Sequence, residues 1–361
     1  MEKMKISSIQ LFLILSGFLF GSTVILAPAK GAKNDAWLAI LIGGIIGALL
    51  MVIYAAISML NPSKTLVDIL QEKMGNVAGN IFAVLYIWYF IHLSSLVLRD
   101  FGEFICTVTF PETPMAVAIG LFAAVLVYII NGGIEVIGRL SELMVPVIPL
   151  VVLIISLPVF TVHDFTEFFP ILGEGIAPVL SAAYNFICFP YGEAVAFLMV
   201  FTHLNKKERL KKIVFIAAMV STLMGVIVFL RDIIVLGTGL MSRATFISHL
   251  TSLLIPGLNV EPLVDINLLI GGGVKISVCI YAATRALSQI AGIDDYRKLT
   301  GAIATFCVVL SIWGHENLLD LLDWSESVWP YYSIPFQIVI PLLLLVLSLR
   351  RKNMDPHVND Q

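Results

Sequence analysis

The sequence has little charge, few cysteines and no histidine pattern typical of metal sites. Only 13% of its 361 residues are Asp, Glu, Lys or Arg, whereas a soluble domain carries roughly 25%. Together with 59% apolar residues, this excludes a disordered chain and a basic nucleic-acid-binding domain. The four cysteines form no C-x-x-C pair and the six histidines no H-E-x-x-H spacing. We therefore expect no disulfide framework, metal site or other cofactor.

What the sequence has in abundance is long uncharged apolar runs. A membrane-spanning helix needs about 20 mostly apolar residues. Nine runs meet this requirement, two of them only if a single charge is allowed, Glu193 or Lys275, and a tenth run is shorter. The sequence thus predicts an all-α polytopic membrane protein with ten transmembrane helices. The predicted spans are residues 6–29, 36–61, 74–98, 113–134, 143–162, 176–202, 213–230, 266–284, 300–314 and 327–349.

Basic residues are distributed unevenly between the predicted loops. With the N-terminus inside, the inner segments carry 16 Lys and Arg residues and the outer segments five. Because positively charged loops stay in the cytoplasm, we expect both termini there. The outer segments at 164–174 and 316–326 are acidic, which indicates either a solvated rim or a docking face for an extracytoplasmic partner.

Two predicted spans contain residues that interrupt a helix. The first reads Ser-Gly-Phe-Leu-Phe-Gly-Ser-Thr over residues 16–23; glycine weakens a helix, and hydroxyl side chains offer its backbone other hydrogen bonds. The sixth reads Phe-Pro-Tyr-Gly-Glu over residues 189–193, where proline removes an amide hydrogen and glycine permits unwound backbone. Close helix packing explains either sequence alone. Their occurrence as a pair favours two broken helices.

The positions of these two spans indicate an inverted repeat. Ten spans divide into two sets of five with opposite topology, and the interrupted span comes first in each set. This pattern is typical of a transporter binding site, where free amides bind an anionic group and free carbonyls a cationic one. An amino acid carries both groups. We predict one transmembrane domain over residues 1–352, with repeats at about 6–162 and 176–349, and a cytoplasmic tail at 353–361.

Two charged residues lie at membrane depth. Lys275 is nine residues from each end of its predicted span, near the midplane, where a lysine is costly and usually functional. It is interpreted as part of the pocket or as half of a structural ion pair, with Glu193 or the carbonyl groups of the first interruption as its partner. Glu193 would begin the second half of the sixth helix, as a cap or as a ligand-facing, proton-titrating group.

A third group of charges, Arg99, Asp100 and Glu103, closes the third span. Arg99 and Glu103 are spaced i,i+4 and are predicted to pair on one helix face. The group is interpreted as a cap at the membrane surface, or as a gate or partner contact. Arg139 and Glu142, in the predicted connection between the fourth and fifth spans, are interpreted in the same way.

Seven short motifs follow one another along the chain. They are Gly21-Ser22-Thr23 with Pro28, Asn61-Pro62-Ser63-Lys64-Thr65-Leu66, Arg99-Asp100-Phe101-Gly102-Glu103-Phe104, Pro111-Glu112-Thr113-Pro114, Gly133-Ile134-Glu135-Val136-Ile137-Gly138-Arg139, Phe189-Pro190-Tyr191-Gly192-Glu193 and Val274-Lys275-Ile276-Ser277. In this order and spacing, over nearly the whole chain, they resemble the spore germination permease family. Its members are the B subunits of endospore germinant receptors, within the amino acid–polyamine–organocation superfamily.

The resemblance implies a LeuT-like 5+5 fold with broken helices 1 and 6, in the inner membrane of a dormant spore. It also implies a small nutrient ligand, usually an amino acid, and assembly with a receptor A subunit and a lipoprotein C subunit. Lys275 would lie near the site where sodium-coupled relatives bind a cation, and we hypothesise that its ammonium group replaces that ion. The candidate ligand-binding residues are Gly17, Gly21, Ser22, Thr23, Phe189, Tyr191, Gly192, Glu193, Lys275 and Ser277.

Two functions fit these observations. A nutrient-sensing receptor subunit and a working amino-acid permease, in one version proton-coupled through Glu193, need the same pocket. An intramembrane enzyme is not expected. Lys275 and Ser277 are two residues apart and do not share a helix face, and the sequence shows no other catalytic set at membrane depth.

Overall fold

The computed structural model describes residues 5–21, 27–162, 168–254 and 260–354, and this part of the chain is helical without a strand. The helices are α1 (Ser8–Phe20), α2 (Ala36–Leu60), α3 (Leu66–Met74), α4 (Asn76–Phe104), α5 (Met115–Asn131), α6 (Ile134–Met144), α7 (Val147–Val162), α8 (Ile176–Phe186), α9 (Leu210–Met241), α10 (Ile247–Leu253), α11 (Glu261–Ala291), α12 (Arg297–Trp313), α13 (Leu318–Ser327), α14 (Trp329–Ile334) and α15 (Ile340–Met354). Between them lie 3₁₀ segments at Lys30–Asp35, Gly192–Met199, Phe201–His203 and Lys207–Arg209, and π segments at Ile105–Thr109, Ile187–Tyr191 and Pro335–Val339.

Polar side chains determine where several helices begin. Ser7 accepts a hydrogen bond from the backbone amide of Gln10, whose side chain bonds the Ser7 amide in return. Thr65 and Asp68 form the same reciprocal cap on α3. Such caps satisfy amide groups that have no partner within the helix, so these short polar sequences fix the starts of helices that are otherwise apolar.

Six described helical segments are long and apolar enough to cross a membrane, or seven if α12 and α13, bent by 102°, form one span. The helices α1 and α5 are apolar but shorter. Each of the ten predicted runs overlaps a helix of the described chain. The all-helical prediction is therefore confirmed, and the number of crossings stays a prediction. The six long segments are Lys30–Leu60, Asn76–Thr109, Ile134–Val159, Lys207–Met241, Glu261–Ala291 and Trp329–Arg350.

The structure differs from the prediction at the end of the third span and at the start of the fifth. In both places the predicted span stops at charged residues, whereas the helix continues through them. Helix α4 continues to Phe104, so Arg99 and Asp100 lie inside the protein, 5% and 6% exposed, rather than at a solvated helix end. Arg139 and Glu142, predicted in the connection between the fourth and fifth spans, lie on α6, within the long segment Ile134–Val159. A buried helix tolerates a charge such as that of Arg99 when neighbouring groups satisfy it.

Helix α1 lies at the centre of the packing and contacts α6, α9 and α11. Around it, α2 packs against α8 and α9, and α4 packs against α11 and α12. Just before α1, Ile6 exchanges backbone hydrogen bonds with His203 and Asn205 at 2.9 and 3.1 Å. This attaches the start of α1 to the chain that follows the Gly192–Met199 segment.

Candidate ligand site beside a buried ion pair

The helical path that starts with α8 is interrupted at Phe189. Within the π segment that follows α8, Phe189 has the extended dihedral angles φ −135° and ψ 108°, and a 3₁₀ segment starts at Gly192. Pro190 has no amide hydrogen to donate. The backbone thus leaves helical geometry at the Phe-Pro-Tyr-Gly sequence.

Side chains from other helices bind the carbonyl groups around this interruption. Gln337 donates from Nε2 to the carbonyl oxygen of Cys188 at 3.0 Å and to the hydroxyl of Tyr89 at 2.8 Å. The hydroxyl of Tyr54 lies 3.1 Å from the carbonyl oxygen of Gly192 and 2.7 Å from that of Gln337. Non-helical backbone at membrane depth persists where it is buried in protein or lines a cavity, and these contacts provide that burial.

Two glycines allow α1 and α11 to approach closely. A Cβ atom on Gly21 would lie 2.2 Å from the carbonyl carbon of Gly271, so a larger side chain would force the two backbones apart. One turn earlier, Gly17 faces Val145 and Val274. This close contact brings Lys275, on α11, against α1.

Lys275 and Glu193 form a buried ion pair between Nζ and Oε2. Their side chains are 0% and 1% exposed. The ammonium group also lies 4.2 Å from the centroid of the Phe189 ring and 5.4 Å from that of Phe18, within the range of a cation–π interaction. Of the two candidate partners of Lys275, Glu193 thus forms an ion pair with it. Pairing makes a lysine tolerable at this depth.

A cavity of about 60 Å³ lies beside this pair. Phe189 and Glu193 form part of its wall, as do Asp100 of α4 and Trp329 of α14. Because a water molecule needs roughly 15 Å³ of such volume, the cavity accommodates a few waters or one compact solute. The remaining wall is apolar at Pro28, Leu93, Leu96, Val97, Leu322 and Pro330, and polar at Asn185, Ser325 and Glu326.

Two of the candidate residues, Phe189 and Glu193, line the cavity, and a third, Lys275, contacts both of them from behind the wall. The residues that line the cavity but were not candidate ligand-binding residues include Asp100 and Trp329. The sequence predicted Asp100 only as part of the charged group that closes the third span. Its position directly after a long apolar run was the signal that could have pointed to a buried site. Trp329 begins α14 directly after the acidic helix α13, and its sequence offers no comparable signal.

Other candidate residues lie elsewhere. Tyr191 points toward α9, where its hydroxyl is 2.6 Å from that of Thr222, and Gly192 abuts the amide of Gln337. Ser277 lines a separate, largely apolar cavity of about 270 Å³. Gly17 and Gly21 serve helix contact as described above. Ser22 and Thr23 lie outside the described residues.

The Arg99 guanidinium is fully engaged next to the cavity. It binds Glu103 at 2.7 Å, which confirms the predicted i,i+4 pair. It also donates to the carbonyl oxygens of Ser311, Ile312 and His315 at 3.0–3.2 Å. Arg99 therefore joins α4 to the end of α12.

Comparison with known proteins identifies the family. The model of a family described as "Spore germination protein" matches residues 5–318. The chain belongs to this spore germination permease family. Spore germination protein KB of Bacillus subtilis (strain 168) is 32% identical over 366 aligned positions, which cover 98% of this chain and 96% of that protein. Spore germination protein YndE of the same organism is 25% identical, covering 96% and 97%. The chain is accordingly an integral membrane protein.

Solved structures of transporters share the fold of this germination permease. The nucleobase-cation-symport-1 family transporter Mhp1, closed with bromovinylhydantoin bound, superimposes with a TM-score of 0.69 at 11% identity, covering 95% of this chain and 78% of Mhp1. MhsT in complex with L-phenylalanine gives a TM-score of 0.65 at 12% identity, covering 97% and 99%. At such low identity these likenesses show the fold alone, which is that of the LeuT-type transporters.

Proposed function

We propose that this chain is the membrane subunit of a spore germinant receptor, and that a small nutrient, an amino acid, binds in the cavity beside Glu193 and Lys275 and triggers germination. The observation that carries the proposal is the position of a buried ion pair, an interrupted helix and a cavity at one point of a transporter fold. Buried charge at membrane depth usually marks a substrate or ion pathway.

The proposal includes ten crossings arranged as two inverted sets of five, with the first and sixth helices broken, in one domain over residues 1–352. The packing supports this arrangement. Helix α2 packs against α9 and α4 against α11, so the second and third spans of one predicted set each contact their counterparts in the other. Such pairing is expected of two repeats related by an axis in the membrane plane.

The proposed location is the spore inner membrane, with both termini in the cytoplasm, and the proposed partners are the receptor A subunit and the lipoprotein C subunit. Family membership and the distribution of basic residues support these statements. In this arrangement the ammonium group of Lys275 replaces a coupling cation, which would leave a site that senses a ligand without an ion gradient.

A working amino-acid permease is the second candidate, and the likeness to two transporters over nearly the whole chain favours it. Two experiments on the purified protein distinguish the receptor subunit from the permease. Equilibrium binding of labelled amino acids in detergent measures the affinity of the pocket, and accumulation of the same compounds in liposomes measures transport. We expect saturable binding without accumulation. Accumulation above the external concentration would replace the sensor with the permease, and failure to bind any amino acid would contradict both.

A further inference from the structure

Asp100 is a buried carboxylate that forms no ion pair with any other described residue. The residue is 6% exposed and forms part of the cavity wall. Its neighbour Arg99 is committed to Glu103 and to the end of α12. Within the part of the chain that the structure describes, no hydrogen bond or ion pair engages the Asp100 carboxylate.

The charges around the cavity therefore do not balance. The wall contains three carboxylates, those of Asp100, Glu193 and Glu326. Lys275 pairs with Glu193, and Lys30 pairs with Glu326. A buried carboxylate is costly unless a positive group and hydrogen-bond donors satisfy it. Described residues pair with two of these three carboxylates, and a cationic group on the molecule in the cavity would supply the counter-charge that Asp100 lacks.

We infer that Asp100 binds the primary ammonium group of the ligand. The inference rests on the proposed function and deepens it: it assigns the residue that binds the ammonium group and makes that group the feature of the ligand that the site requires. Leu93, Leu96 and Val97 come from the same helix as Asp100 and line the same cavity of about 60 Å³, so the ligand is small and is apolar where it faces α4. A sugar or a neutral base would leave the charge of Asp100 without a counter-charge, so we expect compounds of those classes to bind more weakly.

The test uses the full chain in detergent and three related probes at each ligand size. L-Alanine, L-valine and L-leucine are each compared with the acid that lacks the amino group and with the amine that lacks the carboxyl group; for L-valine these are isovalerate and isobutylamine. Sodium and potassium chloride test inorganic cations. Binding is measured for the wild-type protein, for Asp100→Asn, and for Asp323→Asn, which removes an exposed carboxylate from α13 and controls for net charge.

For the wild-type protein we expect the loss of the ammonium group to weaken binding at least ~30-fold, the effect of truncating one partner of a buried charge pair. Asp100→Asn should weaken amino-acid binding by a similar factor, yet bind the acid lacking the amino group as the wild type does. Asp323→Asn should bind as the wild type. A purely structural role of Asp100 would weaken all probes equally, and that result would overturn the inference.

Three other results would also overturn it. Unchanged amino-acid affinity in Asp100→Asn removes Asp100 from the site and leaves the proposed function intact. If the wild type binds sodium or potassium alone, or binds the acid that lacks the amino group as tightly as the amino acid, the ligand does not need an ammonium group. No binding of any probe by the wild type contradicts the proposed function itself. If Asp100→Asn does not fold, the wild-type protein is treated with a hydrophobic carbodiimide with and without bound amino acid. Mass spectrometry then measures how far the ligand protects the Asp100 carboxyl from labelling, with the Asp323 carboxyl as internal control. Protection of Asp100 alone supports the inference, and equal labelling with and without ligand overturns it.

Discussion

Two buried ion pairs in this protein are built in different ways. Arg231 and Asp232 are adjacent on α9, each with a 2% exposed side chain, and their charged groups are 2.7 Å apart. Ser248 of α10 completes this cluster by donating to the second carboxylate oxygen at 3.0 Å. Lys275 and Glu193 instead come from distant segments, and the pair borders the cavity.

This difference indicates that the Arg231–Asp232 pair contributes to stability, whereas the Lys275–Glu193 pair also contributes to ligand binding. The Arg231–Asp232 cluster is satisfied by its own neighbours and attaches α10 to α9. The Lys275–Glu193 pair joins α11 to the segment after the interruption at Phe189, and one of its members faces the ligand site. Disruption of either pair should destabilise the protein, whereas only disruption of the second should change ligand affinity in the protein that still folds.

The largest effect is expected for Lys275→Met. The substitution leaves the Glu193 carboxylate buried without its counter-charge, which should lower the free energy of unfolding by about 3–5 kcal/mol and abolish ligand binding. Denaturation in detergent and binding of labelled amino acid measure the two consequences. In the double variant Lys275→Met, Glu193→Gln, most of the stability should return but not the binding. A Lys275→Met protein that bound ligand and signalled normally would contradict the proposed role of the ammonium group.

Asp232→Asn tests whether the Arg231–Asp232 pair contributes to stability alone. Arg231 would lose its charge partner while the new amide oxygen still accepts hydrogen bonds, so we expect destabilisation of about 2–3 kcal/mol. Ligand affinity should remain within about twofold of the wild type in the folded fraction. A large loss of affinity in Asp232→Asn, at full stability, would show that the two pairs are not independent.

The sequence was sufficient for the helices and for the charged pairs that stand out from an apolar background. Lys275, Glu193 and the Arg99–Glu103 pair were predicted because a charge in such a background needs a partner. The role of Asp100 was not predicted, because a helix that is apolar around most of its circumference gives no indication of which side faces a cavity. Tyr191 shows the same limit: its place beside the interruption suggested the ligand site, but packing against α9 determines its direction.

A smaller effect is expected where α1 and α11 touch. In Gly271→Ala the new Cβ atom would lie 2.2 Å from Cα of Gly21, which is too close for any real contact. The backbones must separate, and overpacking of this kind costs about 1–3 kcal/mol. Gly301→Ala on α12 is the matched control, since a Cβ there meets no atom within 4 Å, and alanine should be neutral or slightly stabilising in a helix. Equal melting temperatures for the two variants would show that the close approach is not required.

The smallest effect is expected at Tyr54, whose hydroxyl lies beside the interruption at Phe189. In Tyr54→Phe the hydroxyl that lies beside the carbonyl oxygens of Gly192 and Gln337 is lost. We expect a decrease of about 1–2 kcal/mol in the free energy of unfolding, since a buried acceptor is left unsatisfied. Tyr331→Phe, at a residue that is 69% exposed, should change stability by less than about 0.5 kcal/mol. Tyr54 does not line the cavity wall described above, so ligand affinity should fall only as far as the interruption relaxes. If Tyr54→Phe were as stable as Tyr331→Phe but bound ligand more weakly, the hydroxyl would position the binding segment rather than stabilise the fold, and the interruption would belong functionally with the Lys275–Glu193 pair.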